Sequence, residues 1–232
     1  MLRNYLTIFM RILMRQKVYS FINIFGLAIG FAASLLIALY IYDEWSYDKF
    51  HKDADRTYRI SVGVVLEGEQ SDFAVTGPPV AEALYNELPA IESHCRFWQQ
   101  SATPIQYEDR NISDQKLIMA DSNFLSIIRF EMVEGNAQTA LTGPDKVVLS
   151  EDMARAIFGA DRTDFKTLIG KQILLGTTKT TTEVTAICAN PPSNSHFHFD
   201  AVFSSESNLS MKNNYSFTSL DCYAFIKLKP DT

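Results

Sequence analysis

The hydropathy pattern is dominated by 25 consecutive residues without a charge, Val18 to Tyr42 (VYSFINIFGLAIGFAASLLIALYIY), in which Ser20, Asn23 and Ser34 are the clearly polar members. As a helix the run is about 37 Å long against roughly 30 Å of bilayer hydrocarbon, which predicts a membrane-spanning segment that tilts or extends past one interface. Tyr19, Tyr40, Tyr42 and Trp45 supply interfacial aromatic anchors. A cleaved secretory signal has a shorter apolar region ending in a small-x-small site, whereas this run ends in ALYIYDEW, so it reads as an uncleaved anchor. Before it, residues 1–17 place Leu2, Leu6, Phe9 and Leu13 at three- and four-residue intervals, with Tyr5, Ile8 and Ile12 widening the stripe. That spacing predicts an interfacial amphipathic helix.

After the anchor the pattern changes to short alternating runs. TYRISVGVVLEG from Thr57 reads as a strand followed by a polar loop, and the turn T-G-P-P leads into a helix with Val80, Leu84 and Leu88 on one face. HCRFWQQ then reads as a further strand, making a βαβ-like unit over residues 57–100. Short strands PIQYE, KLIMA and KVVLS follow, with a helical turn at 123–128. Residues 151–158 are the best-marked soluble helix: Ser150 at the N-cap, Glu151 and Asp152 in the first turn, Met153 and Ile157 on one face, and Gly159 as a left-handed stop. Strands near 171–175, 181–188, 197–204 and 222–228 complete an α+β chain: one N-terminal transmembrane helix, then a mixed α/β domain over residues 43–232.

Charge sharpens the boundary. The chain has 21 cations and 27 acids; Arg3, Arg11, Arg15 and Lys17 precede the anchor and every acid follows it, leaving 17 cations against 27 acids in residues 43–232. Cations collect on the cytoplasmic side, so the N-terminus is expected inside and residues 43–232 outside, in an extracytoplasmic compartment. The acidic balance argues against a nucleic-acid partner. The four leader cations set topology on one reading and dock a cytoplasmic partner on another.

Within the anchor, Gly26, Gly30 and Ser34 recur every four residues and line up a stripe of small side chains where another helix can approach. The expected partner is a second copy or helices outside this chain; glycine is also simply common in membrane helices.

Chemistry is sparse. No phosphate-binding G-x-x-x-x-G-K-[ST] is present, since Gly170-Lys171 is followed by Gln172, so ATP hydrolysis is not expected of this chain. His196, His198 and Asp200 alternate as if on one strand face, but three such residues without a fourth partner read as a structural strand edge. Asp43, Glu44 and Asp48 read as a solvated collar at the membrane exit. Cys95, Cys188 and Cys222 match no zinc spacing and read as buried small hydrophobes, with one disulfide left open. No catalytic, metal or cofactor residues are assigned.

Several ordered motifs carry a resemblance: S-F-I-N-I-F-G-L-A-I-G at 20–30, Y-D-K-F-H-K-D-A-D-R-T-Y-R at 47–59, T-G-P-P-V-A-E-A-L at 76–84, V-V-L-S-E-D-M-A-R-A-I-F-G at 147–159 and N-S-H-F-H-F-D at 194–200. Together they resemble an FtsX/MacB-type ABC transporter permease over nearly the whole chain. The resemblance implies an inner-membrane protein whose periplasmic core domain has a porter-like βαβ unit (57–100), an inserted mixed subdomain (101–210) and the start of a second, incomplete unit (211–232). It implies a cytoplasmic ABC ATPase subunit as partner, a homodimer or pseudo-dimer of permeases, and a periplasmic partner or substrate moved by mechanotransmission. It also implies further membrane helices, so a chain stopping at Thr232 reads as a C-terminally truncated fragment. The residues alone leave a second reading open, a single-pass anchored periplasmic binding or adaptor module; an anchored enzyme finds no coherent acid, base or nucleophile set.

Overall fold

The computed structural model describes residues 2–46, 53–66, 68–159 and 164–230, which form two units, 1–47 and 48–232. In the first unit α1 (Leu2–Arg15) and α2 (Lys17–Ser46) meet at a bend at Gln16. Backbone bonds Gln16 N–H to Ile12 O and Ser20 N–H to Gln16 O, both 2.9 Å, carry the helical ladder across it. Lys17–Trp45, 29 residues, is long and apolar enough to cross a membrane. Its apolar side chains are exposed all round, as expected of a helix whose solvent is hydrocarbon.

The second unit is built on a nine-stranded sheet and a separate hairpin. In chain order its elements are β1 (Thr57–Ile60), β2 (Val62–Leu66), β3 (Glu69–Phe73), α3 (Pro79–Glu87), β4 (Ile91–Tyr107), β5 (Arg110–Ala120), α4 (Phe124–Ile127), β6 (Met132–Glu134), β7 (Lys146–Ser150), α5 (Glu151–Phe158), β8 (Gln172–Leu175), β9 (Thr180–Cys188), β10 (Ala201–Ser204), α6 (Leu209–Lys212) and β11 (Tyr223–Leu228). The large sheet runs β1-β11-β4-β5-β10-β7-β9-β6, with β8 bridging β4 and β9.

β1 and β4 flank β11, which is antiparallel to both, so β1-α3-β4 is a split βαβ whose gap is filled by a strand more than a hundred residues later. Alternation along the strands assigns two faces. His94 meets Tyr85 of α3, ring centroids 5.1 Å apart, and Arg96 reaches the Pro78 carbonyl just before that helix. Cys95 and Phe97, one residue out of step, therefore point to the opposite face. The same period divides the apolar core. Leu117, Val147, Leu149 and Ala201 pack with Met153 and Ile157 of α5, while Ile118, Val148 and Val202 pack with Phe124, Phe130 and Phe197.

The element at 151–158 forms with the expected cap: the Ser150 hydroxyl accepts from the Met153 N–H at 3.3 Å. Gly159 has φ 119° and ψ 136°, so the helix ends by turning into extended backbone at positive φ, not in a left-handed turn. Three strand expectations are corrected. TYRISVGVVLEG is two strands that break at Ser61, and the polar stretch after it is β3, which pairs with β2 through a turn containing Gly68 at φ 89°. HCRFWQQ and PIQYE are one 17-residue strand, so the boundary expected at residue 100 falls inside β4. Register shifts between Gln100 and Ile105 let Pro104 sit in that strand where a ladder donor is not required. In the 197–204 stretch, strand pairing begins only at Ala201.

Candidate functional site

On α2, Gly26, Gly30 and Ser34 are exposed, and a Cβ added at Gly26 or Gly30 would meet nothing within 4 Å. The Ser34 hydroxyl donates to the Gly30 carbonyl at 2.9 Å and so spends its proton within the helix. The stripe thereby presents a shallow, largely apolar surface.

In the second unit, the first described residue after α2, Asp53, is the centre of a charge network. Its Oδ1 accepts from Arg56 Nη2 at 2.7 Å and its Oδ2 from Lys227 Nζ at 2.9 Å, with Arg129 Nη2 at 3.4 Å. Glu92 at the start of β4 pairs with Lys227 at 3.2 Å and with Arg56 at 3.0 Å. Arg56 also donates to the Leu228 carbonyl at 2.8 Å. Lys227, on β11, is 8% exposed at its side chain. Five side chains thus fasten residues 53–56 to β11, the start of β4 and Arg129 beyond α4.

The network shifts its acids. The Lys227 hydrogen bond, and after it the Arg56 one, hold the Asp53 carboxyl down from its ordinary 3.8 to about 2, and Glu92 is lowered mainly by the same lysine. A depressed carboxyl stabilises the fold above its unfolded value and loses that contribution as pH falls through the folded one. Asp53→Asn is therefore expected to flatten the acid limb of stability between about pH 4 and about pH 2. Urea unfolding of the full chain in detergent, followed by near-ultraviolet circular dichroism, measures this; superimposable limbs for the two proteins would remove the network's role.

A second polar node lies on the α3 face. Asp121 Oδ2 accepts from Arg96 N–H at 3.0 Å and from Arg96 Nε at 2.9 Å, and Oδ1 accepts from Arg96 Nη2 at 3.3 Å and from the Ser205 hydroxyl at 3.0 Å. The guanidinium lies 5.6 Å from the centre of the Trp98 ring. This node ties β4, the end of β5, and the end of β10 together.

Other sequence candidates separate. His196 and His198 are exposed while Phe197 and Phe199 point into the core, and Asp200 accepts from the Lys116 N–H at 2.8 Å. No cluster of three or more metal-capable side chains occurs among the described residues. The three cysteines are buried and unpaired by disulfide; burial pushes Cys188 and Cys222 up to about 12 and Cys95 well upward, opposite to what a nucleophile requires. Asp43 and Glu44 lie on the last turn of α2, and Asp48, with the first six residues of the 47–59 motif, lies outside the described residues. Sequence reading missed Asp53, Glu92 and Lys227 as a set. D-A-D-R offered a local i,i+3 pair, but nothing along the chain signals a lysine 174 positions later.

Residues 20–232 match the sequence profile of a family described as the MacB-like periplasmic core domain. Among solved structures, a domain assigned to a permease of Porphyromonas gingivalis is similar, with TM-score 0.63 and 22% identity over 78% of this chain and 76% of that one. The periplasmic region of MacB from Actinobacillus actinomycetemcomitans is similar with TM-score 0.55 and 14% identity, covering 76% of each chain. At those identities the likeness establishes the fold. No curated protein sequence matches the chain.

Proposed function

The chain belongs to the family of MacB-like periplasmic core domains, which gives it a permease-type role, and from that membership we propose that it couples ATP hydrolysis by a cytoplasmic partner to movement of its periplasmic domain. In this reading α2 crosses the inner membrane with Arg3, Arg11, Arg15 and Lys17 in the cytoplasm and residues 43–232 in the periplasm, as the charge asymmetry favours. An ABC ATPase subunit binds and hydrolyses ATP, the membrane helices shift, and the domain changes shape to export or extract a substrate. Residues 57–100 act as a first porter-like unit and 101–210 as an inserted subdomain, the two sharing the continuous strand β4, and β11 opens a second unit.

The observation that carries the reading is the Asp53 network. At Asp53, the first described residue after α2, the chain is held to β11 and β4 through Lys227, Arg56 and Glu92. In this reading a force applied at Asp53 is borne by β11 and β4, which are paired with each other. Purification of the protein from its native membranes tests the partner: an ABC ATPase should accompany it in fixed ratio and hydrolyse ATP. Isolation without any ATPase would point instead to an anchored adaptor.

Gly26, Gly30 and Ser34 are, in this reading, the face on which a second permease copy or another membrane helix packs. Gly30→Leu should weaken that association by about tenfold, since close backbone approach is what small residues permit. Unchanged oligomer mass and unchanged ATPase recovery would remove the contact.

A further inference from the structure

The face of the sheet opposite α3 carries a cavity that neither the fold nor the charge network requires. It measures about 490 Å³, within the range of small-molecule pockets. Its floor is aromatic: Phe97 stacks on Tyr223 at 4.9 Å with the rings 7° from parallel, and Phe225 lies 6.0 Å from Phe97. Phe197 closes one side, 5.5 Å from Phe97 and 5.7 Å from Phe225. The rim is polar, with Arg59 from β1, Gln99 from β4 and His196.

A smaller cavity of about 260 Å³ adjoins it, shares Gln99 and His196, and adds Lys116 and His198. No carboxylate lines either space among the described residues. That selection runs against composition, because residues 43–232 hold 27 acids and 17 cations. Arg59 is exposed and has no ion pair among the described residues, in contrast to Arg56 three positions earlier, which is committed to Asp53 and Glu92.

We propose that this cleft binds a small anionic amphiphile, an apolar ring or short chain carrying one carboxylate or phosphate. The apolar body rests on Tyr223 and Phe225, which Phe97 supports from beneath, and the anion is held by Arg59 with Gln99 and His196 beside it. Aromatic floors also suit cations, through the ring faces, but a guanidinium and imidazole at the mouth with no carboxylate disfavour them. Because β4 and β11 supply the floor and β1 the Arg59 of the rim, while His196 and Phe197 come from the 101–210 segment, an occupant would touch both parts of the domain. As a statement about cargo this rests on the permease reading; as a statement about binding it does not.

The probe is 4-benzoylbenzoate, a photoreactive aromatic carboxylate, applied to the full chain in detergent without any ATPase, with labelled peptides mapped by mass spectrometry. Label is expected on peptides carrying Phe97–Gln99, His196–Phe197 or Tyr223–Phe225, suppressed by excess 4-phenylbutyrate. Arg59→Glu should lower it at least fivefold with near-ultraviolet dichroism unchanged, Gln99→Glu should lower it likewise, and Arg59→Lys should retain it. Suppression by phosphatidylglycerol vesicles as well would assign the anion to a lipid, and suppression by 4-phenylbutyrate alone to a soluble ligand, both within the proposal. Equal labelling by the cationic 4-(aminomethyl)benzophenone, competition by inorganic phosphate alone, or indifference to both glutamate variants would overturn it. Failure here leaves ATPase association untouched, and loss of ATPase association leaves this binding result standing.

Discussion

Replacing Asp121 by alanine is expected to destabilise the 48–232 unit by about 3–5 kcal/mol, the range for breaking one side of a buried ion pair. Four donors lose their acceptor at once: the Arg96 N–H, its Nε and Nη2, and the Ser205 hydroxyl. The side chains of Arg96 and Asp121 are 10% and 15% exposed, so water reaches the orphaned guanidinium poorly. Among the described residues, the bond from Nη1 to the Pro78 carbonyl, at 3.3 Å, is the hydrogen bond that would remain to it. Urea unfolding of the full chain in detergent should show the loss, and the pair Arg96→Met/Asp121→Leu should recover much of it by removing both charges together. A loss under about 1 kcal/mol for the single variant would mean that the pair is solvated in the folded protein.

Phe97→Ala should have an effect of similar size by a different route, about 3–5 kcal/mol from lost burial and the cavity left behind. Phe97 is 1% exposed and has ring contacts with Phe124, Phe197, Tyr223 and Phe225, which come from three separate parts of the chain. Those neighbours are themselves anchored in strands or packed on one another, so collapse into the space is restricted. For a unit of this size the melting temperature should fall by about 10 °C, read by near-ultraviolet dichroism. Phe97→Leu should lose much less, because it keeps most of the volume. An alanine variant melting within about 2 °C of the parent would show that the aromatic cluster is not tightly packed.

Legibility in the sequence followed the range of the forces. The anchor was readable because 25 uncharged residues need no tertiary context, and 151–158 because Ser150, Glu151, Asp152 and Ile157 are all local signals. The helix at Pro79–Glu87 and the turn at 124–127 were likewise local. β3 was not: Glu69-Gln-Ser-Asp-Phe73 has a strand's shape only because VGVVL pairs with it across Gly68. β4 was divided because Ser101-Ala-Thr-Pro104 looks like a break, yet β5 and β8 hold that stretch in the sheet. His196 and His198 alternate with buried Phe197 and Phe199 but lie before β10 and not in a strand, and their place over a cleft depends on Phe97 and Tyr223, far away in the chain. The Asp53 network was the least legible. It joins positions 53, 56, 92, 129 and 227, and a lone charged residue in an acidic domain carries no sign of its partner.

In the proposed function the nucleotide state of a cytoplasmic ATPase reaches the periplasmic domain through the Asp53 node. Amide hydrogen exchange on the native-membrane complex, compared between ATP-loaded and ADP-loaded states, tests it most directly. Protection should change at Arg56–Ile60 and Ala224–Leu228, less so when Lys227→Met cuts the network, and nowhere in the chain purified away from its partner. Identical exchange in those two strands in both nucleotide states, with the ATPase bound and active, would contradict it.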